Sequence, residues 1–96
     1  MDWNSRPRQA SELEITEVVD GFVVQRHGED RLHFLNATAA FILEICDGSL
    51  TAGELPDLVA AAFELEASPR DDIAACLERL QREGLLADDD ELRAQQ

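Results

Sequence analysis

The residues best suited to bond chemistry in this chain are Cys46, Cys76, His27 and His33. A cysteine becomes a nucleophile when a nearby base or positive charge holds it as thiolate, so a pairing of His33 with either cysteine is the arrangement to look for. Catalysis also needs oxyanion donors in a concave site. The pattern points elsewhere. Both cysteines fall inside apolar helical spacing, which predicts reduced core thiols, and both histidines fall on or beside a strand edge, where the side chain is solvated or meets a peptide. No CxxC, HxxxH or calcium-loop spacing is present. Asp88-Asp89-Asp90 reads as a solvated acidic run that would hold Mg²⁺ only loosely. The sequence therefore assigns no catalytic residue, no metal ligand and no cofactor. The residues that remain as candidates are those that could pair with another chain.

The elements that position them follow from periodicity. Leu13 and Ile15 alternate with Glu12, Glu14, Thr16 and Glu17, with Val18 or Val19 continuing the apolar face: a half-buried strand. Asp20-Gly21 is a hairpin turn pair. A second strand runs Phe22 to His27, His27-Gly28-Glu29-Asp30 turns the chain, and Arg31 to Phe34 forms a third strand. A meander of this kind leaves the third strand at an edge. Asn36 caps a first helix whose Ala39, Ile42, Leu43 and Cys46 share a face widened by Phe41 and Ile45, and Gly48 closes it. Thr51-Ala52-Gly53-Glu54 has the form of a capping box opening a second helix with Leu55, Leu58, Val59, Ala62 and Phe63 on one stripe. Ser68-Pro69 reads as cap and first residue of a third helix, Pro69 to Glu83, with Ile73, Cys76, Leu77 and Leu80 inward and Gly84 as its stop. The fold class is α+β, three antiparallel strands followed by three helices.

A chain of 96 residues with 45% hydrophobic content is long enough for one domain with one modest core. Residues 1 to 11 read as a flexible arm, in which Trp3 either docks on the body or stays solvated. Residues 12 to 87 form the domain, and residues 88 to 96 an acidic disordered tail. The formal charge is −13, from 8 basic and 21 acidic residues. Such a chain repels nucleic-acid phosphates and anionic membranes. Neither a secretory leader nor a membrane span is legible, so the cytoplasm is the expected compartment.

With those elements in place, Leu35-Asn36-Ala37-Thr38-Ala39, then Asp47-Gly48, then Asp72-Ile73 with Leu77, Leu80 and Gly84-Leu85-Leu86, resemble the PqqD-like family, whose members are also called RiPP recognition elements. The resemblance spans about Leu13 to Leu86 and rests on the ordered set rather than on any one motif. It implies a winged helix-turn-helix variant that binds the leader of a ribosomally made precursor peptide as an added strand beside strand three, against helix three. It also implies a separate modifying enzyme, often a radical SAM enzyme or a cyclodehydratase, to which the leader is presented. Cys76 stands where relatives often carry a bulky apolar residue, which puts the depth of the groove in question.

The residues suit such a role. An edge strand offers N–H and C=O groups to any guest backbone. Arg31, Leu32, His33 and Phe34 are the candidates for strand addition, with Leu32 and Phe34 on one face and Arg31 and His33 on the other. On helix three, Asp72, Cys76, Arg79 and Glu83 share one flank, and Arg70, Ala74, Leu77 and Gln81 the other. The first is preferred as the peptide wall because its ionic ends could fix register, though spacing leaves the choice open. An unfilled edge also invites homodimerisation. Two other classes compete. A winged helix suggests DNA binding, but Arg70, Arg79 and Arg82 are outnumbered by Asp71, Asp72, Glu78 and Glu83. An adaptor on the same fold, without a role in peptide modification, is the alternative.

Overall fold

A computed structural model describes residues 2–87. Its order is β1 (Leu13–Val18), β2 (Gly21–Arg26), β3 (Leu32–Leu35), α1 (Ala37–Ile45), a short 3₁₀ turn (Ala52–Glu54), α2 (Leu55–Ala62) and α3 (Arg70–Arg82). The strands form one antiparallel sheet in the order β1-β2-β3. Ile15, Val24 and His33 lie across from one another, as do Glu17, Phe22 and Leu35. These register rows fix which residues face the helices, because side chains alternate along a strand. Val24 and Leu35 are fully buried, while Leu32 and Phe34 stand on the opposite, exposed face. Val18 and Val19 are both exposed, so neither extends the apolar face of β1. The β1–β2 turn depends on glycine: a Cβ at Gly21 would collide with the carbonyl oxygen of Leu35 on β3.

The helices form where the caps allow. Asn36 Oδ1 accepts from the Ala39 N–H at 2.8 Å and starts α1, which buries Ala39, Ala40, Ile42 and Leu43. The Glu54 carboxylate accepts from the N–H and the hydroxyl of Thr51, and these bonds hold it below the usual carboxylate range. They close the 3₁₀ turn that precedes α2. That helix has only two turns, and it buries Leu55, Pro56 and Val59. Leu58 and Phe63, expected on the buried stripe, are 40% and 38% exposed. The helix ends before Phe63, whose ring instead meets Phe41 edge-on at 5.5 Å. The start of α3 also differs from expectation. Pro69 is the N-cap, its carbonyl taking the first helical bond from Ile73 N–H, and Ser68 lies outside with its hydroxyl donating to Asp57 on α2. Ile73, Leu77 and Leu80 face the core. At the far end Gly84 adopts φ +78°, and Leu85 N–H bonds the Leu80 carbonyl at 2.9 Å, the geometry of a Schellman stop. It returns Leu85 and Leu86 into the core.

The segment expected to be a flexible arm is laid along the body. Gln9 N–H bonds the Cys46 carbonyl at 2.7 Å, Ala10 N–H bonds that of Leu85 at 2.9 Å, and the Trp3 carbonyl accepts from Gly53 N–H at 2.8 Å. Ala10 is buried, and Trp3 packs partly into the core beneath the Arg70 guanidinium, 4.3 Å from its ring centroid. Backbone groups of the loops after α1 and α3 would otherwise lack partners, and the arm supplies them. The tail expected at residues 88 to 96 lies outside the described residues.

Candidate functional site: an open strand edge beside α3

Among the described residues, β3 has β2 as its only strand neighbour. The direction of its outer groups follows from one contact. The Phe34 carbonyl accepts from Arg79 Nη2 on α3 at 3.1 Å, so it faces away from β2. In an antiparallel ladder the N–H and C=O of a residue share a side, and the side alternates along the strand. Leu32 and Phe34 therefore present their backbone groups to the open edge, while His33 and Leu35 spend theirs on β2.

The wall beside this edge is the flank that begins with Asp72. Asp72, Cys76 and Arg79 line a cleft of about 480 Å³ floored by Ile42, Val59 and Ile73. Asn36, Thr38 and Ala39 close it on the β3 side, and Leu65 and Pro69 at the α2–α3 loop. Glu83 stands at the end of α3, its Oε2 3.1 Å from Arg79 Nε and its Oε1 3.7 Å from His33 Nδ1. The opposite flank faces the arm: Leu77 and Gln81, with Glu78, line a second cavity of about 410 Å³ together with Arg6, Pro7 and Arg8.

The eight candidates thus divide. Leu32 and Phe34 lie on the open edge, and Asp72, Cys76, Arg79 and Glu83 lie beside it. Arg31 precedes β3 and is exposed. His33 is 3% exposed, so the expectation of a solvated imidazole is corrected: the strand turns it onto the helices, where Glu83 meets it. Asn36, Thr38, Ala39, Ile42 and Leu65 were not among the candidates. Asn36 was legible only as a cap, and the others only as helix or loop positions, because a cleft wall built from three elements has no single period.

Neither thiol of the chain is arranged for nucleophilic work. Both are free. Burial pushes the Cys46 thiol up to about 12, with Cys76 and Asp47 adding to the effect. Burial also raises Cys76, partly offset by the Arg79 charge. Among the described residues no group of three or more His, Cys, Asp or Glu side chains could hold a metal ion, and no helix is long and apolar enough to cross a membrane.

The molecule is thus a small α+β domain that presents one strand edge next to a helix-walled cleft. Consistent with that class, residues 21–86 match the family model described as coenzyme PQQ synthesis protein D (PqqD), and the chain belongs to this family. Membership points to a role as a peptide-binding partner in the biosynthesis of PQQ or of another ribosomally derived product. Searches of curated proteins and of solved structures return no match.

Proposed function

We propose that this protein is a non-catalytic peptide chaperone of the cytoplasm. It takes the leader of a ribosomally made precursor as a fourth strand on β3 and presents it to a separate modifying enzyme, of the radical SAM or cyclodehydratase kind. The observation that carries this reading is the open side of β3, where Leu32 and Phe34 turn their backbone groups toward the cleft lined by Asp72, Cys76 and Arg79. Strand addition draws its affinity from main-chain hydrogen bonds and its selectivity from the pockets that receive alternate side chains. A guest strand here would send one set of side chains toward α3 and the other set out beside Leu32 and Phe34. The −13 charge favours peptides with basic or neutral binding segments.

The test is a titration of ¹⁵N-labelled protein with the short peptide encoded beside its gene. Amide shifts are expected at Leu32 and Phe34 and along the Asp72–Glu83 flank, with slowed exchange at the two strand amides. Shifts confined to other surfaces, or none at saturating peptide, would sink the reading.

A further inference from the structure

Resting on that reading of the β3 edge, we infer that Arg79 is the placeholder for the guest strand. Its Nη2 donates to the Phe34 carbonyl at 3.1 Å. That oxygen is the acceptor an added strand must use. The contact is not a passing approach of a loose cation, because Nε of the same guanidinium donates to Glu83 Oε2 at 3.1 Å in an i,i+4 pair. Glu83 is in turn set against the buried His33. The guanidinium is thereby held at two of its nitrogens, aimed across from α3 onto the strand edge. The side chain is also 46% exposed, so it can leave without disturbing the core.

Two consequences follow. A backbone zipping onto β3 occupies the space through which Arg79 reaches Phe34, so Arg79 must swing aside and the apparent affinity is lowered by the cost of releasing it. One acceptor of that edge, the Phe34 carbonyl, is also satisfied while the edge is empty, which limits pairing with other chains at that point. The guest that displaces Arg79 must carry a backbone N–H in register with Phe34. Proline at that position fails, whereas a guest residue whose N–H points away from β3 tolerates it.

The probe is a neutral strand-forming peptide, acetyl-Ser-Val-Thr-Val-Thr-Val-Ser-amide, titrated by amide shifts into the wild-type protein and into Arg79→Ala. Neutrality keeps loss of the arginine charge from acting on the peptide. Arg79→Ala is expected to bind the probe about fivefold more tightly, the factor that one net hydrogen bond of about 1 kcal/mol represents. The Phe34 carbonyl ¹³C shift is expected to move on mutation and again on binding. If Arg79→Ala loses its native amide spectrum, Arg79→Gln, which cannot span both contacts, takes its place. Binding at Leu32 and Phe34 that is unchanged or weaker in the variant overturns the placeholder and leaves peptide capture standing. Absence of shifts at the edge in both proteins overturns both.

Discussion

Glu83 Oε1 lies 3.7 Å from Nδ1 of His33, a polar residue buried between the sheet and α3. The two belong to different elements and to different surroundings, since the His33 side chain is 2% exposed and that of Glu83 25%. Packing rather than charge should therefore dominate what each contributes. His33→Ala leaves a cavity beside Val24 and is expected to cost about 1–3 kcal/mol in urea unfolding. Glu83→Gln breaks a half-solvated contact and should cost less than about 1 kcal/mol. Equal losses would mean that the pair acts as a buried ion pair instead.

Leu32→Pro separates the open edge from the fold. The Leu32 N–H faces away from β2, so proline removes no ladder bond at this position. The folded sheet should survive with a small change in urea midpoint, while peptide affinity falls at least about tenfold through the lost donor and the stiffened edge. Loss of the native amide spectrum would show instead that the Leu32 N–H serves the sheet.

Much of this architecture is legible in local sequence. Leu13 and Ile15 alternate with polar residues, Asp20-Gly21 demands a tight turn, and Asn36, Thr51-Glu54 and Gly84 each carry a stop or start signal within a few residues. That Asp72, Cys76, Arg79 and Glu83 share one flank of α3 was also within reach, because they recur at helical spacing, but which flank lies beside β3 was not, because Arg70, Ala74, Leu77 and Gln81 recur in the same way. What escaped depends on partners distant in sequence. His33 looks solvated until Glu83, which follows it by many turns of chain, closes over it. Ser68 looks like a cap until Asp57 draws its hydroxyl to α2. The residues before Leu13 look like an arm because their order comes from backbone bonds to Cys46, Gly53 and Leu85, and backbone bonds leave no mark on residue type.

That docking gives the chain a built-in reporter. Trp3 is the single tryptophan, half-buried against the core and under Arg70. Its emission should be blue-shifted in the folded protein. Arg70→Ala should move it modestly to the red, since cation–π contacts at exposed sites are worth about 0.5–1 kcal/mol. Trp3→Ala should lower stability by about 1–2 kcal/mol through lost burial. Emission already at the solvated wavelength in the native protein would mean that the segment is free in solution.

The two thiols differ in their predicted labelling, and Cys46 carries a prediction for pH. Cys76 lines the cleft and is half-buried, so a thiol reagent should modify it slowly in the free protein and more slowly still with peptide bound. Cys46 should remain unmodified until the protein unfolds, because burial keeps it protonated. Its folded pKa stands at about 12, above the 9.0 of an unperturbed thiol. The unfolded chain therefore releases this proton first as pH rises, and stability that is fully present below pH 9 is lost between 9 and 12. The loss approaches about 1.4 kcal/mol per pH unit in that window. Urea midpoints measured from pH 8 to 11 should fall in the wild type and fall less steeply in Cys46→Ala, once the lower starting stability of the variant is subtracted, with Cys76, also raised by burial, leaving a residual slope. A parallel fall in both proteins would assign the alkaline sensitivity to other groups.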